Sequence, residues 1–88
     1  MEQILERTQG EIRKFIVDNF LFGQEDDQLT NETSLLQSGT IDSTGVLELV
    51  MFVEETYGIK IHDEELLPEN LDSIRNVADF VQRKQEQL

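Results

Sequence analysis

Between Asp42 and Gly58 the sequence runs STGVLELVMFVEETY, and this stretch constrains the fold more than any other because its side chains separate into two faces only in a helix. Projected at about 100° per residue, Val46, Leu49, Val50, Val53 and Tyr57 fall on one arc, which is predicted to face a core. Thr44, Leu47, Glu48, Met51, Glu54 and Glu55 fall on the other side, adjoining Ser43, with Phe52 at the flank. Gly58 stands where a left-handed residue stops a helix. Asp42 or Ser43 is placed to cap the start, since a short oxygen-bearing side chain accepts a hydrogen bond from a first-turn amide that has no partner within the helix. A helix over 43–57 follows. Taken alone, the Asp-Ser pair marks a helix start and nothing more.

Two further patterns flank it. Ile4, Leu5, Ile12, Phe15, Ile16 and Phe20 recur at helical spacing, which predicts a helix over about residues 2–20 with Gly10 as a tolerated weak point. Ile74, Val77, Ala78, Phe80 and Val81 form one stripe of a last helix starting at about Ser73, with Arg83 and Lys84 near the end where cations suit the helix dipole. From Gly23 to Asp42 the pattern is lost in a long polar loop, GQEDDQLTNETSLLQSGTID, which Leu29, Leu35, Leu36 and Ile41 are expected to anchor. Ile59 and Ile61 alternate into the core, and Asp63 to Leu67 predict one short helical turn before Pro68. The expectation is an all-α fold: a single domain over residues 1–88, a bundle of three longer helices plus one short one, with a long loop between the first and second. A chain of 88 residues builds one small core and leaves little room for a deep, multilayered active site.

Charge narrows the partners. Nineteen acids against seven bases give a net charge of -12, which opposes nucleic acid and anionic membrane and favours proteins carrying Lys and Arg patches. No base lies between Lys14 and Lys60, whereas Asp18, Glu25, Asp26, Asp27, Glu32, Asp42, Glu48, Glu54 and Glu55 all do. The chain has no cysteine, hence no disulfide, thiolate nucleophile or sulfur-ligated metal. Its amino terminus begins acidic and lacks an uninterrupted apolar stretch, so neither a signal peptide nor a membrane span is expected, and the reading is a cytoplasmic monomer. The sequon at Asn31, Glu32 and Thr33 is then a coincidence. Glu25, Asp26 and Asp27 lack the alternating ligands, central glycine and terminal glutamate of a calcium loop, so no metal site is expected. His62, the sole histidine, sits beyond the central helix with no evident orienting partner, and one histidine supports no Ser-His-acid constellation. No catalytic residue is assigned.

Leu47 and Met51 remain, two apolar side chains among carboxylates at i and i+4. They pack beneath the long loop, or form the centre of a docking patch whose acids steer basic partners, or do both. On the residues alone, an acidic helical adaptor without a prosthetic group is a full alternative.

The run GTIDSTGVLELVMFVEETYGIKI, preceded by TSLLQS and followed by an acidic turn and a short amphipathic helix, resembles the acyl carrier proteins and their aminoacyl and peptidyl carrier relatives over nearly the whole chain. The resemblance implies that Ser43, after Asp42, carries 4'-phosphopantetheine derived from coenzyme A. It implies partner contacts at Thr44, Leu47, Glu48, Met51, Glu54 and Glu55. The partners would be a phosphopantetheinyl transferase, a ligase that loads an acyl or aminoacyl group as a thioester, and downstream acyltransferases or synthases. The transferase would supply the base and the Mg2+ that binds coenzyme A, with Asp42 touching that ion. The chain departs from the family at Thr44, where Leu or Met is usual, at Gly45, where a helix-friendly residue is common, and at Phe52, often a small residue in fatty acid carriers. Gly45 implies a more flexible first turn and Phe52 less room for a sequestered chain. The Ser-Thr-Gly run resembles some stand-alone carriers loaded by adenylate-forming ligases.

Overall fold

Among the described residues, four α-helices and one 3-10 turn carry the chain, and several of their ends fall where a particular residue satisfies the backbone. A computed structural model describes residues 2–24 and 27–87. Glu25 and Asp26 of the acidic stretch lie outside the described residues, as do the side chains of Ile4 and Leu5. Helix α1 spans Glu2–Phe20, α2 Ser43–Tyr57, α3 Pro68–Leu71 and α4 Ile74–Glu86, with the 3-10 turn at Asp63–Glu65. The three long helices thus form where the apolar periodicity predicts them. Helix α2 ends at Gly58, whose φ of 66° lets its N–H return to the Glu54 carbonyl at 3.0 Å. Helix α4 starts at Ser73, whose Oγ accepts from the Asn76 amide at 3.0 Å.

The region before α4 differs from expectation. The one short turn expected before Pro68 is the 3-10 turn at Asp63–Glu65, and the unexpected feature is a second short element, α3, which Pro68 opens. Proline lacks an N–H, which costs nothing at a first helical position where that donor would have no partner, and its φ is preset for the helix. Proline here starts a helix instead of ending one.

The core gathers Ile12 and Ile16 from α1, Leu49 and Val53 from α2, and Ile74, Val77, Ala78 and Val81 from α4, all at most 1% exposed. Helix α4 packs against each of the other three helices, which accounts for the density of buried positions along it. Val46, Val50 and Tyr57 pack against this core half-buried, as do Phe15 and Phe20. Phe15 stacks on Phe52 with ring centroids 4.2 Å apart, and the Tyr57 hydroxyl donates to Glu11 Oε1 at 2.8 Å. Burial, and then that bond, push the phenol well above its ordinary value. Among the described residues no helix is long and apolar enough to cross a membrane.

The long loop lies on the body. The radius of gyration of 12.1 Å matches the roughly 12 Å expected of a folded chain of this length. Leu29, Leu35 and Ile41 anchor it, each buried to within 3%. Leu36 does not: it is 41% exposed, because the chain turns at Leu35 and presents successive leucines to opposite sides. Asp72 fastens the turn. Its carboxylate accepts from the Ser34 hydroxyl and, at 2.9 Å, from the Leu36 amide, while its carbonyl accepts from the Leu35 amide at 2.7 Å.

Candidate functional site

Asp42 settles which residue caps α2. Its backbone is extended, with φ -96° and ψ -179°, and its Oδ1 accepts from the Gly45 amide at 2.7 Å. Ser43 becomes the first helical residue, exposed, and no described residue hydrogen-bonds its hydroxyl. The first intrahelical bond runs from the Val46 amide to the Asp42 carbonyl at 3.0 Å. The amides of Ser43 and Thr44 precede it and point out of the helix end, where they and the helix dipole favour a negative group on the serine oxygen.

Gly45 is a packing residue. A Cβ built there would meet Ile41 Cγ2 and Phe20 Cε1 at 2.8 Å each and Asp42 Oδ1 at 3.3 Å. Only a residue without a side chain lets the end of α1 and the last loop residues close onto this turn. The expectation of a flexible first turn is therefore corrected: Gly45 is buried and held by its neighbours.

Beside Ser43 lies an open apolar groove of about 270 Å³, lined by Leu36, Val46, Leu47, Leu66, Leu67 and Leu71. Leu47 and Met51 are 55% and 59% exposed, so neither is buried beneath the loop, although Leu47 shares the groove with the loop residue Leu36. Leu67, at 42%, joins them with Leu36. Sequence reasoning missed Leu67 as a surface residue and misplaced Leu36, although each is the second member of a Leu-Leu pair whose first member turns inward. That doublet is the signal that could have found them. Thr44, Glu48 and Glu55 are exposed on the face predicted for them. Glu54 is only half-exposed, and its Oε2 accepts from the Ile61 amide at 2.8 Å, which ties α2 to the segment after it. One of its carboxylate oxygens is thus used within the fold.

The remaining titratable groups lie outside this arrangement. His62 is exposed, and its amide donates to Glu65 Oε1 at 3.0 Å. That bond, and then the Lys84 ammonium at 2.9 Å, hold the Glu65 carboxyl below the usual range. Among the described residues, no group of His, Asp and Glu is placed to hold a metal ion. The corner thus holds an exposed hydroxyl at a helix start, with an apolar groove adjoining it.

Comparison with known proteins identifies the family. A family profile described as a phosphopantetheine attachment site matches residues 21–81. The chain is also similar to the acyl carrier protein of Buchnera aphidicola subsp. Baizongia pistaciae (strain Bp), at 32% identity over 79 residues, covering 90% of this chain and 96% of that protein.

Proposed function

The chain belongs to the acyl carrier protein family, whose prosthetic group is 4'-phosphopantetheine, and from that premise we propose that Ser43 bears the group and that the holo chain presents an acyl or aminoacyl cargo to partner enzymes. When bound, the group supplies the thiol that the chain lacks, on which cargo rides as a thioester. The observation that carries the reading is the Ser43 hydroxyl itself: exposed, relieved of capping by Asp42, and set at the positive end of α2.

The roles of the chain's own residues follow. The Ser43 oxygen attacks the pantetheine-side phosphorus of coenzyme A, the bond to the nucleotide half breaks, and the hydroxyl proton leaves to a base on the transferase, since the chain offers none there. The Asp42 carboxylate holds the first turn and lies at the same corner, where it would touch the transferase's Mg2+. Leu47 and Met51 give partners an apolar footing, and Glu48 and Glu55 steer basic surfaces toward it. Thr44, beside Ser43, is exposed to the same partners. The reading describes one carrier domain acting as a monomer with separate modifying, loading and acyl-transferring enzymes.

Intact-mass measurement tests it. Incubated with coenzyme A, Mg2+ and a broad-specificity transferase, the chain should gain one phosphopantetheine, and Ser43→Ala should stay folded and gain none. No gain with several active transferases, or a gain on the Ala variant, would refute the assignment and favour the plain acidic adaptor.

A further inference from the structure

Outside the second helix, Phe22 is the residue whose position the fold leaves unexplained. Helix α1 ends in a turn in which the Leu21 and Gly23 amides both donate to the Val17 carbonyl, at 3.2 and 2.8 Å. Phe22, between them, takes a φ of 55° and is the only non-glycine among the described residues with a positive φ. Glycine ends helices in this conformation without strain, whereas any other residue brings its Cβ against the neighbouring carbonyl. Packing returns nothing for that strain, because the side chain is 92% exposed. A strained backbone presenting an aromatic ring to water stabilises no part of this domain.

Its location gives the ring a use. Phe20, two residues earlier, packs at the site of the missing Gly45 side chain, so the end of α1 and the start of α2 share one corner with Ser43. The residues after Phe22, GQEDD, add acids to a stretch with no base between Lys14 and Lys60, and Asp27 is exposed. A second copy of the chain, also at -12, would be repelled from this corner. A partner with Lys or Arg around an apolar recess would be attracted to it. We propose that Phe22 is an anchor for the enzyme that acts at Ser43, its ring entering such a recess outside the α2 face. The inference rests on the carrier reading.

The test is steady-state modification by the broad-specificity transferase with coenzyme A, comparing wild type with Phe22→Gly and Phe22→Asn, both of which accept the left-handed conformation. Loss of an aromatic anchor should raise KM for the chain by roughly tenfold or more with kcat little changed, while the melting temperature stays level or rises. Unchanged KM in both variants overturns the proposal. So does a raised KM accompanied by a lower melting temperature in both, which would make the ring part of the fold. A wild-type dimer that the variants lose would instead assign the ring to self-association and equally overturn it. Wild type that gains no phosphopantetheine withdraws the carrier reading and this inference with it, whereas equal KM values on chains that are modified refute this inference alone.

Discussion

Replacing Gly45 by alanine tests whether the start of α2 is a packed joint or a loose turn. In a helix interior the exchange adds stability of about 0.8–1.0 kcal/mol through reduced backbone entropy, and somewhat less in the first turn. Against that gain stands the new methyl, 2.8 Å from both Ile41 Cγ2 and Phe20 Cε1. Neither neighbour yields easily: Ile41 is 2% exposed and its Cγ2 is fixed at a branched carbon, and the Phe20 ring packs against the core. Overpacking of this kind costs about 1–3 kcal/mol, and displacing the Asp42 cap adds up to about 1 kcal/mol. The net expectation is a loss of about 1–2 kcal/mol, or roughly 4–16 °C in Tm for a domain this small. Gly10 supplies the control: it is exposed, lies within α1 and has no atom within 4 Å of a built Cβ. Gly10→Ala should therefore stabilise by about 0.5–1 kcal/mol. Urea denaturation of both variants at equal m-values measures the pair. A Gly45→Ala chain as stable as wild type, or one stabilised like Gly10→Ala, would refute the packing argument.

Reversing Glu48 and Glu55 to Lys should leave helical circular dichroism intact while slowing Ser43 modification, most steeply at low salt, since both are exposed and unpaired among the described residues. Glu54→Ala should instead lower stability by about 1 kcal/mol, because it strands the Ile61 amide, and denaturant titration separates the two kinds of carboxylate. Asp72→Ala should cost about 1–2 kcal/mol by leaving the Ser34 hydroxyl and Leu36 amide without their partner, with faster hydrogen exchange at Leu35 and Leu36 as the local readout. Glu65 has a depressed folded-state pKa, so its contribution is present above the ordinary glutamate range and is lost as pH falls through the folded value. Wild type should accordingly lose more stability on acidification than Glu65→Gln, and identical pH profiles would show that the Glu65 contacts carry no linkage.

What was legible in the sequence depended on whether a residue's role was local. The Val46, Leu49 and Val53 arc, the Gly58 stop and the Ile74 to Val81 stripe are set by periodicity and capping within one segment, and all appear as expected. Gly45 was misread because its reason lies in Phe20 and Ile41, brought to it by the closure of a long loop. Asp72 was overlooked for the same cause, since its partners Ser34 and Leu36 stand 38 and 36 residues away. Glu54 projects onto the outward face by angle, yet its carboxylate turns back to Ile61 once the chain reverses at Gly58. Helical projection tells direction and cannot tell what a later segment brings alongside.

The same distinction governs the charge. Along the sequence, the gap from Lys14 to Lys60 reads as a uniform negative field, but in the fold Lys14 pairs with Asp18 at 2.8 Å and Arg75 reaches Glu32 at 3.5 Å. Arg7 pairs with Glu11, and Lys84 with Glu65. The first three pairs are well exposed, and such pairs add little stability. Their effect is on the shape of the field. Cations on α1 and α4 pair with some acids of the flanks, while α2 carries no base, and among the described residues Asp42, Glu48 and Glu55, spread from its start to near its end, have no ion-pair partner. On the carrier reading proposed above, a basic partner would meet these acids on the face that carries the hydroxyl, the apolar groove and the exposed Leu47 and Met51.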